Sequence, residues 1–74
     1  LIKIPVISGE EAIKALMKAG YYRRRQKGSH VRLYHENRQA VTVPLQKTLK
    51  KGTLRGILRT AEIDLEDFIK LIKK

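Results

Sequence analysis

The sequence predicts an α+β fold: one helix, an antiparallel three-stranded sheet, a second helix and an extra short C-terminal helix, in a single domain over residues 1–74. Three observations carry that expectation. A capping signal at Ser8 opens a run of apolar residues at helical spacing. Residues 30–35 alternate between polar and apolar, with a short turn sequence on either side. Helical spacing then returns after Gly52. So short a chain buries a limited fraction of its surface, so the core must be small. With no cysteine, packing alone must hold it, without disulfides or a cysteine-ligated metal.

The elements follow in order. Leu1-Ile2-Lys3-Ile4-Pro5 reads as a short extended segment without an initiator Met, which allows for native residues upstream. Ser8 and Glu11 form a capping box, in which each supplies a partner for a free amide of the helix start. Ile13, Leu16 and Met17 then share a face, with Ala12 and Ala19 beside them, and Gly20 stands where a left-handed stop is needed. This is a helix over 9–19. Residues 21–27 read as a strand despite three successive arginines, and Gly28 in Lys27-Gly28-Ser29 can take the positive φ of a tight hairpin.

A second strand runs over 30–36, with Val31 and Leu33 on one face and His30, Arg32 and Tyr34 on the other. Glu36-Asn37-Arg38 turns the chain into a third strand, 39–44, that Pro44 ends. The segment 45–51 reads as a basic loop. Leu54, Ile57, Leu58 and Ala61 mark a helix over 53–61. Asp64 with Asp67 resembles a further capping signal, ahead of Leu65, Phe68, Ile69 and Ile72 on a helix over 65–73. The first two helices should cover one face of the sheet and leave the other open. Leu16, Val31, Leu33, Val41, Val43, Leu54, Ile57 and Leu58 are the expected core. The α-β-β-β-α order is also that of the double-stranded-RNA-binding domain, and topology alone does not assign function.

Charge narrows the partners. Seventeen Lys and Arg stand against seven Asp and Glu, a net charge of +10 at pH 7 with His neutral. That excess on a small surface points to a polyanion (RNA, DNA, an anionic membrane or an acidic protein), the alternative being a solvated basic surface. No apolar run reaches membrane-span length and no signal peptide is visible. The expected compartment is the cytoplasm, with no membrane partner.

The chemistry-bearing candidate is His30. Imidazole, with an unperturbed pKa of roughly 6.5, exchanges a proton near neutrality. RNA cleavage needs a proton taken from the 2′-hydroxyl and one given to the leaving 5′-oxygen, and one imidazole beside a phosphate can make either transfer. A lone histidine is more often structural, but His30 follows a Gly-Ser turn, Arg23, Arg24, Arg25 and Lys27 precede it, and Arg32 and Tyr34 share its face. His35 has the parity of Val31 and Leu33, which suits a structural role. Alternation sends Arg24 one way and Arg23 and Arg25 the other, so the three cannot all meet one ligand. Lys47, Lys50 and Lys51, with the amides of the second helix, would make an anion site or form an ordinary lysine-rich loop. Nothing calls for a cofactor. There is no helical His pair, no Gly-rich phosphate loop and no carboxylate cluster near the basic residues.

Four blocks in order give a resemblance. Gly20-Tyr21, the run Arg25-Gln26-Lys27-Gly28-Ser29-His30, then Val41-Thr42-Val43-Pro44, then residues 52–61 are similar to the HicA (YcfA-like) mRNA interferase toxins, from about Ser8 to about Ile72. The resemblance implies a double-stranded-RNA-binding-like fold and a metal-independent RNA endonuclease of a type II toxin-antitoxin system, acting on mRNA. It further implies that His30 is catalytic and that a HicB antitoxin masks the site. Two positions depart from the family's pattern. Gln46 stands where many members carry a second histidine, so a paired-histidine scheme is not available there. Glu62 replaces the glycine after the second helix, removing the easy left-handed stop.

On this reading His30 transfers the proton. Arg25 and Lys27 hold phosphate and stabilise transition-state charge, and Gly28 and Ser29 shape the turn or meet the RNA backbone. Arg32, Lys47, Lys50 and Lys51 complete the RNA-binding set. A non-catalytic RNA-binding module stacking bases on Tyr34 is the alternative, and a ribosome-associated structural protein is a third.

Overall fold

The computed structural model describes residues 3–73; Leu1 and Ile2 of the expected opening segment lie outside the described residues. The element order is α1 (Gly9–Lys18), β1 (Tyr22–Lys27), β2 (His30–Tyr34), β3 (Val41–Pro44), α2 (Lys51–Ala61) and α3 (Leu65–Lys73). The strands form one antiparallel sheet in the order β1-β2-β3. This is an α+β fold with an open three-stranded sheet.

The Ser8 capping box is present in both directions: the Glu11 amide donates to Ser8 Oγ at 3.1 Å, and the Ser8 amide to Glu11 Oε1 at 2.9 Å. Helix α1 buries Ala12, Ile13, Ala15 and Leu16, while Met17, expected on the same face as Ile13 and Leu16, is 45% exposed. Helical geometry explains the difference. At 100° per residue the buried arc ends at Ile13, and Met17 falls about 40° beyond it, past the rim.

Helices α1 and α2 end alike. The Tyr21 amide reaches back to the Leu16 carbonyl and Gly20 to Met17, both at 3.1 Å; Ile63 reaches Leu58 at 3.0 Å and Glu62 reaches Arg59 at 3.2 Å. Both are Schellman turns, which need a left-handed residue. Gly20 supplies one at φ 105° and Glu62 the other at φ 57°. Helix α2 thus ends without the easy glycine stop, Glu62 taking the left-handed conformation with a Cβ in a region that costs about 1–2 kcal/mol. Arg38 Nη1 helps hold it there, donating to the carbonyls of Ala61 at 2.6 Å and Glu62 at 2.9 Å. Glu62→Gly should stabilise the fold by up to about 1 kcal/mol, less the added chain entropy of glycine when unfolded. The expected readout is a melting temperature a few degrees higher; an unchanged or lower one would show no strain at Glu62.

In the sheet, Gly28 takes φ 60° in the β1–β2 turn. Val31 and Leu33 face the core while His30, Arg32 and Tyr34 are exposed, so the expected register holds. Val41 and Val43 join them inside. The strands are shorter than expected at their outer ends. Tyr21 belongs to the core rather than to β1: its amide closes the α1 stop and its hydroxyl donates to the Gln39 carbonyl at 2.8 Å. Gln39 and Ala40 stand outside the ladder, and β3 begins at Val41.

The 45–51 segment is less loop-like than its charge suggests. Leu49 is buried, its amide donating to the Ile7 carbonyl at 2.8 Å, and α2 starts at Lys51, two residues early. Leu54, Ile57, Leu58 and Ala61 of α2 join α1 and the inner sheet face in one core. Helix α3 packs on α1 through fully buried Phe68, with Leu65, Leu71 and Ile72 half-buried. Asp64 opens α3 through its carbonyl, which accepts from the Phe68 amide at 2.9 Å. Among the described residues its carboxylate caps no amide, contrary to the sequence signal. No described helix is long and apolar enough to cross a membrane.

Candidate active site

The open face of the sheet carries a shallow cleft of about 230 Å³ lined by Arg25, Lys27, His30, Arg32, Tyr34 and Thr42. Strand pairing puts them together. Lys27 lies opposite His30, Arg25 opposite Arg32, and Arg32 opposite Thr42. Directly paired residues project to the same side, so three cations and the imidazole point away from the core. Arg32 Nη1 donates to Thr42 Oγ1 at 2.8 Å, which steers its guanidinium across the face. His30 is exposed at the first position of β2, and among the described residues no side chain hydrogen-bonds its ring. No carboxylate lines the cleft. A phosphodiester laid there would meet a cationic floor and an accessible imidazole.

The arginine run splits differently from simple alternation. Arg23 pairs with Leu33 and Arg25 with Arg32, so Arg24 is the extra residue of a β-bulge. The bulge resets the parity. Arg25 reaches the open face with Lys27, while Arg23 turns toward α1, its Nη2 3.2 Å from Glu10 Oε2. Both partners of that pair are about half exposed, so it contributes at most about 1 kcal/mol. Arg24, expected to point away from Arg25, sits with its guanidinium 5.8 Å from the Tyr34 ring centroid. No residue in Tyr22–Lys27 announces a bulge. Thr42, which the sequence reading missed, could have been found from its place between the inward Val41 and Val43.

The other candidates divide. Gly28 and Ser29 form the turn beside His30, where Gln26 Nε2 donates to the Gly28 carbonyl at 3.1 Å and the Leu45 amide to the Ser29 carbonyl at 2.6 Å. Lys47, Lys50 and Lys51 are exposed and do not line the cleft. The buried Leu49 and the early start of α2 hold that segment, and Lys50 caps α2 without a side-chain bond. Gln46 is also exposed and outside the cleft; its carbonyl accepts from the Gly9 amide at 2.9 Å. Among the described residues no three His, Cys, Asp or Glu side chains converge as metal ligands would.

His35 is structural. The Asn37 amide donates to its Nδ1 at 3.0 Å, so the ring proton lies on Nε2, which donates to the Ala19 carbonyl at 3.1 Å. The ring meets Tyr21 edge-on, centroids 4.9 Å apart. A Cβ on Gly20 would come within 2.8 Å of Nε2, a second reason for glycine there. Burial pushes the Tyr21 phenol above its ordinary pKa, with Arg38 opposing and Glu62 adding, so it stays protonated for its bond to Gln39.

Comparison with known proteins gives the same blocks a context. Residues 9–63 match the family model of the HicA toxin of bacterial toxin-antitoxin systems. A solved structure described as a toxin-antitoxin complex from Streptococcus pneumoniae contains a chain that superposes with a TM-score of 0.68. It shares 31% sequence identity and the match covers 77% of this chain and 98% of that one. No curated protein matches. The family match stops at Ile63, so α3 lies beyond it.

Proposed function

Since the chain belongs to the HicA toxin family, we propose that it is the toxin of a toxin-antitoxin pair and acts as a metal-independent endoribonuclease on mRNA, with His30 making a proton transfer. The observation that carries this reading is the exposed His30 imidazole in one cleft with Arg25, Lys27 and Arg32.

The reaction follows from that set. The cations seat the phosphodiester, and their charge stabilises the phosphorane-like transition state more than the ground state. The ribose 2′-oxygen forms a bond to phosphorus as the bond from phosphorus to the 5′-oxygen breaks. His30 takes the 2′-hydroxyl proton or protonates the departing 5′-oxygen, and solvent water makes the other transfer. Gly28 and Ser29 hold the imidazole at the rim of the turn. The paired cations Lys27 and Arg25 do the phosphate work, with Arg32 beside them; Lys47, Lys50 and Lys51 would meet RNA further along its path. An antitoxin of the HicB type would silence the chain by covering the cleft with acidic side chains. The cytoplasm, where mRNA is met, is the compartment this reading assigns.

The test is incubation of the purified chain with end-labelled single-stranded RNA in excess chelator. Cleavage to discrete fragments is expected, and intact RNA at every protein concentration would defeat the reading. Binding should also fall steeply with salt. Three neutralised phosphates give a slope of about −2 in log affinity against log salt, at roughly 0.7 per phosphate for single strands. Affinity indifferent to salt would remove the cationic cleft from the account.

A further inference from the structure

The chain has four aromatic residues besides histidine, and the fold spends them unevenly. Tyr21 and Phe68 are buried in the core, whereas Tyr22 and Tyr34 are 44% and 40% exposed on the open face. The two exposed rings are direct cross-strand partners, their centroids 6.4 Å apart and their planes tilted by 36°. The Arg24 and Arg32 guanidinium groups stand 5.8 and 5.9 Å from the Tyr34 centroid. The bulge at Arg24 makes this possible, because it puts Tyr22 and Arg25, three residues apart, on the same side of β1.

A cross-strand tyrosine pair adds modestly to the stability of a hairpin. That accounts for the contact of the rings with each other, and leaves their outward surface in water beside two cations. Cations alone suit any polyanion. Aromatic surface framed by guanidinium planes suits a polyanion that also carries flat π systems, since unpaired bases stack on tyrosine and on arginine alike. A base held in a duplex cannot reach such a ledge.

We propose that Tyr34, flanked by Tyr22, Arg24 and Arg32, is a stacking subsite for an unpaired nucleobase of a single-stranded RNA substrate. The subsite rests on the proposed RNA-cleaving function and adds which strand state the cleft accepts. Tyr34 and His30 line the same cleft, four residues apart on one face of β2. At the strand rise of about 3.3 Å per residue they are about 13 Å apart. That is several times the 3.4 Å rise of a stacked strand, so the seated base lies beyond those flanking the bond that is cut. Tyr34 is a binding residue, and Arg24 and Arg32 hold its ring and the neighbouring phosphates.

The experiment separates bases from charge. In a His30→Ala background, binding of a labelled single-stranded RNA is measured by anisotropy against an abasic ribose-phosphate oligomer of equal length and charge. Tyr34→Ala should weaken the base-bearing strand by roughly 5- to 150-fold and leave the abasic oligomer unchanged, with Tyr34→Phe restoring most of the loss. Tyr22→Ala, read the same way, should show a smaller loss and guards against a misfolded Tyr34→Ala. Equal binding of both oligomers by the parent, or a Tyr34→Ala loss equal on both, overturns the subsite. These outcomes are read from binding alone, so they are distinct from a failure of the unsubstituted chain to cut RNA.

Discussion

His30→Ala is expected to lose about a hundred- to ten-thousandfold in RNA cleavage rate, the usual cost of removing one acid-base group, while folding and binding RNA much as the parent does. The structural reason for an intact fold is direct. The imidazole is exposed and no described side chain bonds it; such a surface change is usually worth within about 0.5 kcal/mol. Two comparison variants sharpen the result. Gln46 lies outside the cleft, so Gln46→Ala should cut at close to the parent's rate. His35→Ala should strand the Ala19 carbonyl and the Asn37 amide, destabilising the fold by about 1–3 kcal/mol while the folded fraction keeps its activity. Rates in excess chelator are read alongside circular dichroism melts. A folded His30→Ala protein cutting at the parent's rate would sink the mechanism and favour a non-catalytic RNA-binding module.

Phe68→Ala should be the most destabilising single change of side-chain size in α3. Phe68 is fully buried, at 0% relative exposure, and truncation of such a side chain typically costs about 3–5 kcal/mol. A 74-residue domain has roughly 4–11 kcal/mol of stability in all, so the variant should melt at least about 12 °C lower. Helix α3 falls outside the family-matched residues 9–63, yet it packs on α1, and Phe68 is part of the one core. It therefore shares the core of the matched residues. Because α3 packs on α1 and contributes nothing to the cleft lining, cleavage by the folded fraction at low temperature should be unchanged. A melting temperature within a degree or two of the parent's would show that α3 is dispensable to the core.

Local signals read well from the sequence because their physics is local. The capping box at Ser8, the positive φ at Gly28 and the alternation of His30 to Tyr34 each depend on residues a few positions apart. The same alternation sorts His30, Arg32 and Tyr34 from Val31 and Leu33, and so identifies the polar face of the sheet. Buried positions at Val41, Val43, Leu54, Ile57 and Leu58 followed from periodicity in the same way. The role of His35 was legible from parity alone, although its partners were not.

Chain order, periodicity and composition suffice for the order of the elements, the core stripe of each, the excess of positive charge and the presence of one histidine on a polar strand face. Tertiary structure decided which cations that histidine meets. The Arg24 bulge arises from how β1 pairs with β2, and it alone brings Arg25 beside Arg32 while sending Arg23 to Glu10. The burial of Leu49 against Ile7, and with it the exclusion of Lys47, Lys50 and Lys51 from the cleft, depends on a contact spanning more than forty residues. Tyr21 is held outside its strand by its amide bond to the Leu16 carbonyl and its hydroxyl bond to the Gln39 carbonyl. In each case the deciding partner lies on another segment of the chain, within one hairpin for the bulge and more than forty residues away for Leu49. Periodicity says which way a side chain points, but only pairing across strands and helices says what it faces.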